Sequence, residues 1–223
     1  MDSAADASEF VPKSRSLRTL AQAAKGCQGC ELFREATQTV FGSGPRTAHI
    51  MLVGEQPGDV EDQRGEPFVG PAGKLLDTAL ADAGIVRNEI YLTNAVKHFR
   101  WKSTAGSTRR IHDRPAARHI NACRPWLAAE MASVQPEILV ALGAVAAQSL
   151  FGPSFRLSAN RGVALDWPPA KGEFADDPTS VRAAFATIHP SAVLRAGPDR
   201  RSVYAGLVED LTLMATKLPP RLR

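Results

Sequence analysis

The chain has no apolar run long enough to cross a bilayer. Its longest, residues 138–147, falls well short of the ~20 residues that a spanning helix requires. The start, Met1-Asp2-Ser3-Ala4-Ala5-Asp6, has neither the basic region nor the apolar stretch of a secretory leader, so an intracellular, cytoplasmic protein with no membrane partner is expected. Cysteine is scarce. Cys27, Cys30 and Cys123 are an odd number that cannot pair completely, and a reducing compartment disfavours disulfides, so they call for a metal or for burial. No internal repeat or low-complexity tract is present, which excludes a repeat array. Acidic residues are missing from one place in particular: between Lys97 and Arg118 the only one is Asp113.

A chain of 223 residues, 44% apolar and 22% charged, can bury one full core and need not divide in two. The expected layout is a flexible lead-in over 1–13, a single domain over 14–216 and a loose tail over 217–223 that carries Pro219-Pro220. Four β-rich apolar runs, 48–53, 89–96, 137–142 and 183–188, suit buried parallel strands. Helical patterns at Leu17–Ala24, 73–83, 115–133, Ala144–Phe151 and 199–215 precede or alternate with them. The pattern predicts a three-layer α/β/α sandwich around a central, mainly parallel four-stranded sheet. Gly84 suits the C-terminal cap of the second helix. In such a sheet the ligand crevice lies at the carboxyl ends of the strands, here the loops starting at Gly54, Lys97, Gly143 and His189.

Cys27-Gln28-Gly29-Cys30 has the two-residue gap that lets two thiolates reach one metal centre. A redox dithiol fits poorly, because such a motif normally follows a strand and this one follows the Leu17–Ala24 helix. With Cys123, His98 is the candidate fourth ligand; the spacing leaves iron–sulfur and zinc both open.

His112, in Arg109-Arg110-Ile111-His112, lies in the basic stretch, where like charges disfavour the imidazolium and leave a ring nitrogen free to act as base or nucleophile. A surface histidine on a solvated loop is the plainer alternative. After the first strand, Gly54-Glu55-Gln56-Pro57-Gly58-Asp59 and then Gly65 to Lys74 suggest a rigid loop that approaches a ligand closely, with Phe68 as a flat platform.

Taken in order, that loop, Thr93-Asn94-Ala95-Val96-Lys97 and His189-Pro190-Ser191-Ala192-Val193-Leu194-Arg195 resemble the motifs of the iron–sulfur uracil-DNA glycosylases over roughly residues 17–210. Gln56 and the Arg-Arg-Ile-His run resemble one branch, UdgX, whose members become covalently attached to DNA. Thr108 departs from the lysine expected to begin that run.

The resemblance implies a structural four-iron four-sulfur cluster on Cys27, Cys30, His98 and Cys123, and favours iron–sulfur over zinc. It implies that the substrate is uracil-containing DNA, single strands included; a monomer is the default expectation for one compact domain. Phe68 would stack on a flipped uracil, Asn94 would read its edge, and His189, with the Gln56 backbone nearby, would donate to O2. Lys97, Arg109, Arg110, Ser191 and Arg195 would bind DNA, with Val193 or Leu194 wedged into the vacated stack. His112 would attack C1′, with Glu55 orienting it and taking a proton. The alternatives are a turnover glycosylase in which Asp59 or Glu55 activates water, or a non-catalytic iron–sulfur DNA-binding module.

Overall fold

The computed structural model describes residues 6–104, 106, 108–170, 174 and 181–217. The first five residues of the expected lead-in, and the expected tail beyond Lys217, lie outside the described residues. Six strands occur among them: β1 (Ile50–Gly54), β2 (Ile90–Asn94), β3 (Trp101–Lys102), β4 (Ile111–His112), β5 (Ile138–Leu142) and β6 (Ala183–Thr187). Four of them form a wholly parallel sheet in the order β2-β1-β5-β6, with Leu52 paired to Leu92 on one side and Val140 on the other.

Alternation along the strands explains the layers. Ile50 and Leu52 face one way with Leu92 and Val140, toward helices α3 (Pro71–Asp82) and α8 (Arg200–Ala215). Met51 and Val53 face the other way, toward α4 (Ala117–Val134) and α5 (Ala144–Phe151). Both faces are covered, so these strands read as continuous apolar runs. The expected sandwich is the observed one, with strand ends within two residues of those read from the sequence.

Local chemistry sets the helix ends. Pro71 begins α3, and Gly84, at φ +71°, ends it with hydrogen bonds from Ile85 N to Leu80 O (2.9 Å) and from Gly84 N to Ala81 O (3.0 Å). Three short helices went unread: α2 (Asp59–Arg64), α6 (Leu157–Asn160) and α7 (Pro190–Arg195). The remaining helix, α1 (Leu17–Ala24), starts on a Ser16 side-chain cap.

Two expectations are corrected. The lead-in is not loose from residue 6 onward: Ala7 is 1% exposed, and its N–H donates to Ala122 O at 2.9 Å, packing the segment beside Cys27 and Trp126. The basic stretch is not a plain loop either. Its two ends pair as an antiparallel ribbon, β3 with β4, which sets Trp101 opposite His112. Among the described residues no helix is long and apolar enough to cross a membrane.

Candidate active site

The strand order reverses between β1 and β5, which opens a crevice at the carboxyl ends. A cavity of about 720 Å³ lies there, lined by Glu55, Phe68, Asn94, His112 and His189 among others. Glycine makes room for it: a Cβ on Gly54 would stand 2.3 Å from Asn94 Oδ1 and 2.7 Å from Phe68 Cζ. Phe68 itself has φ +58°, a costly conformation for a bulky residue. It is held there because its carbonyl abuts Gly73, where any Cβ would clash, and its ring stacks toward His189 with centroids 6.1 Å apart.

His189 caps the first turn of α7. Its Nδ1 accepts from Ser191 N at 3.1 Å, so that nitrogen carries no proton and Nε2 is the N–H donor. Burial, assisted by the charge on Arg195 and by His112, lowers its pKa to about 4, so the ring is neutral near pH 7. Gly143, at φ +94°, leaves a Cβ position only 3.0 Å from His189 Cβ, so glycine there lets the imidazole sit close to the end of β5.

The β3–β4 ribbon is clasped by Gln56. Its amide donates to Arg100 O and Asp113 O, both at 3.0 Å, and accepts from Arg100 N at 3.1 Å. Both amide protons of Gln56 are thereby used in fixing the ribbon, so a hydrogen bond donated to a ligand would have to come from its backbone. At the end of the ribbon His112 Nε2 stands 3.7 Å from Glu55 Oε1, just outside hydrogen-bond range. That Glu55 oxygen is buried without a partner. The His112 ring is pulled below the usual histidine pKa by burial first and by Arg195 second, with Asp113 opposing. The arginine that adds to this effect is Arg195 on α7, not a neighbour in the basic stretch. Burial raises the Glu55 pKa, against Arg114 and Arg195.

Several expected contacts are reassigned. Lys97, 1% exposed, cannot reach a phosphate; its ammonium is paired with Glu130 at 2.5 Å. Arg110 is spent internally: Nε on Asp59 and Nη1 on Asp62, each at 2.6 Å, with the guanidinium over the Phe99 and Trp101 rings. Asp59 is accordingly turned to Arg110 and Gln63 and does not line the cavity, which removes it as a base for water. The Ser191 hydroxyl lies 2.7 Å from His189 Nδ1, which also takes the Ser191 N–H, so in this arrangement the hydroxyl is engaged with the imidazole. Val193 is wholly buried in the core, so of the two wedge candidates only Leu194, 39% exposed, faces outward. Arg109 and Arg195 are exposed.

Two charged lining residues, Arg114 and Glu61, are not among the candidates read from the sequence. Arg114 lies at the cavity with its guanidinium on Gln148 Oε1 at 3.0 Å, and one more arginine in a basic stretch gave no sign of this. Glu61 is buried and accepts from Gly70 N at 2.8 Å, and nothing in the sequence around it marks a buried carboxylate.

Cys27, Cys30 and Cys123 are all buried and unpaired, and the charge of each thiolate would bear on the others. Cys27 Sγ accepts from Trp126 Nε1 and Cys123 Sγ from Lys97 N, both at 3.2 Å; such donors suit ligating sulfur. Thr39 gives its one hydroxyl proton to Ala24 O, so it accepts from His98 Nε2 at 3.0 Å and leaves His98 Nδ1 as the lone-pair nitrogen. Among the described residues no three His, Cys, Asp or Glu side chains gather tightly enough to hold a single ion. A four-iron cluster takes each ligand on a different iron and so spreads its ligands wider. Three thiolates and one imidazole are donors that such a cluster accepts, as zinc also does.

A flat aromatic wall, an amide at a strand end and a neutral imidazole donor around one cavity define a site for a planar, hydrogen-bonding heterocycle of nucleobase kind. The chain belongs to the uracil DNA glycosylase superfamily, whose family model matches residues 41–212. It is 33% identical over 181 residues to a type-4 uracil-DNA glycosylase of Thermotoga maritima, covering 80% of this chain and 83% of that one. It is 33% identical to one from Sulfurisphaera tokodaii (80% and 76% covered) and 36% identical to one from Archaeoglobus fulgidus, where the match spans 61% of this chain and 64% of the relative.

Proposed function

We propose that the protein is a uracil-DNA glycosylase of the UdgX kind, which releases uracil from DNA, single strands included, and then remains bonded to the abasic deoxyribose through His112. The observation that carries this reading is the pair His112 and Glu55, 3.7 Å apart in the lining of the cavity that also holds Phe68, Asn94 and His189. Uracil would stack on Phe68, present its edge to Asn94, and receive the Nε2–H of His189 on O2 as negative charge develops on the leaving base. As the C1′–N1 bond breaks, the electron pair leaves with uracil. The unprotonated ring nitrogen of His112 bonds to C1′, and the ring proton on the other nitrogen departs to Glu55 or solvent. A neutral alkyl imidazole is a poor leaving group, so the adduct persists. The Glu55 carboxylate, beside His112 in the cavity lining, would also stabilise the charge of the forming sugar cation.

Incubation with a uracil-containing single strand followed by a denaturing gel is the test. A shifted protein band together with free uracil supports the reading. Free uracil without a shift leaves a turnover glycosylase in which Glu55 activates water, and neither signal leaves a DNA-binding module.

Cys27, Cys30, His98 and Cys123 would hold a four-iron four-sulfur cluster that ties residues 27–30 to the loop after β2 and to α4. Its contribution is structural. Broad visible absorbance and about four irons per chain are expected of the purified protein, and zinc in their place would reject this assignment. Buried, unpaired thiols accord with a reducing cytoplasm, where we place the protein as a monomer.

With Lys97 and Arg110 occupied, the phosphate contacts fall to the exposed Arg109 and to Arg114 and Arg195, the last two of which flank the cavity. Arg114→Ala and Arg195→Ala should each weaken binding of uracil-free DNA and lower the slope of log K against log salt by about one. Arg110→Ala should instead lower Tm by freeing the ribbon. A salt slope unchanged in both of the first two variants would reject the contacts.

A further inference from the structure

Lys97 and Glu130 form an ion pair that water does not reach, with side chains 1% and 0% exposed, and the chemistry above uses neither. Two buried charges do little for stability that well-packed apolar side chains of similar size would not do as well. What sets the pair apart is what it holds. The three protons of the ammonium go to Glu130 Oε2 (2.5 Å), Thr93 Oγ1 (2.6 Å) and the carbonyl of Asn94 (2.7 Å). Glu130 Oε1 in turn accepts from Gly42 N (2.9 Å) and the Tyr91 hydroxyl (3.0 Å). Every donor of the lysine is satisfied, and one of them is spent on the peptide whose side chain lines the cavity.

Asn94 is the last residue of β2, where a strand frays most readily. The next two N–H groups bond back to the β1 loop, Ala95 to Gly54 O (2.8 Å) and Val96 to Glu55 O (3.0 Å), and Lys97 then closes the turn from beneath. With that peptide fixed, Asn94 Oδ1 rests so near Gly54 that no side chain fits between them. An amide free to turn could offer either edge pattern and accept cytosine as well as uracil.

We infer that the buried Lys97–Glu130 pair is a specificity-determining positioning device: it clamps the Asn94 peptide so that the amide meets the base in one orientation. The inference rests on Asn94 as the base reader. It assigns Lys97 no contact with DNA.

The test replaces both charges together, Lys97→Met with Glu130→Met, so that neither is left unpaired. Single-turnover uracil release should then need about tenfold more DNA for half its maximal rate, since a misplacement on the order of 1 Å can cost about 10²-fold. The preference for uracil over cytosine should shrink by a similar factor, while affinity for uracil-free DNA stays at the wild-type value. A folded double variant with wild-type half-saturation and wild-type preference would overturn the inference. Should that variant not fold, Thr93→Val keeps both charges and removes only the hydroxyl between them; a smaller rise is expected, and no rise overturns the inference equally. Asn94→Ala, run alongside, separates the two levels. If it leaves half-saturation and preference unchanged, the reader itself is wrong; if it alone changes them, only the clamp is.

Discussion

His112→Ser should leave no denaturant-resistant protein–DNA species while uracil release continues. The serine hydroxyl is a weak nucleophile without a base in contact, and the space vacated beside Glu55 Oε1, a buried oxygen with no partner, suits a water molecule. Water would then take the place of the imidazole at C1′, and release should turn over, matching or exceeding the wild-type total. The acid limb of adduct formation follows from the same site. The reacting ring must be neutral, and burial together with Arg195 places its pKa below the ordinary 6.5. Adduct formation should therefore hold as pH falls through that value and be lost only in more acidic solution. An adduct of unchanged yield in the serine variant, or sugar found by mass spectrometry on another side chain, would reject the assignment. A decline that begins above pH 7 would contradict the half-exposed ring's lowered pKa beside Arg195.

His189→Ser should slow uracil release by about 10²- to 10³-fold, the usual cost of one preorganised donor at a developing anion. Serine is chosen because it still caps α7, where the imidazole now accepts from Ser191 N. Stability should stay close to wild type, so the loss is read as chemistry and not as unfolding. Single-turnover release measured at saturating DNA gives the rate, and thermal melting gives the control. A loss of less than about fivefold would remove His189 from the transition state, because a donor on O2 is typically worth about 3 kcal/mol there. The two variants also separate the steps: one should abolish capture and keep cleavage, the other should slow cleavage and capture together.

The layers of the fold were legible because each strand is buried on both faces and so reads as an unbroken apolar run, and because proline and glycine mark the ends of α3. Short pieces were not. The ribbon that carries His112 has two residues in each strand, too few for any alternation to register. The buried amino-terminal segment has one small anchor, Ala7, and no pattern around it. The roles of charged residues were the least legible, since a lysine or arginine looks the same whether it lies exposed at the cavity, as Arg195 does, or meets a carboxylate of its own chain, as Lys97 and Arg110 do.

By itself the order of residues determined the sheet, the four loops at its carboxyl edge and which polar side chains those loops could offer, because periodicity and turn chemistry act between near neighbours. Only the packed chain decided which of those side chains face the cavity. Asp59 and Asp62 on α2 draw Arg110 inward, Glu130 on α4 draws Lys97, and Arg195 on α7 reaches His112 from a segment more than eighty residues away. Charge interactions depend on distance through space, and sequence separation does not encode that distance.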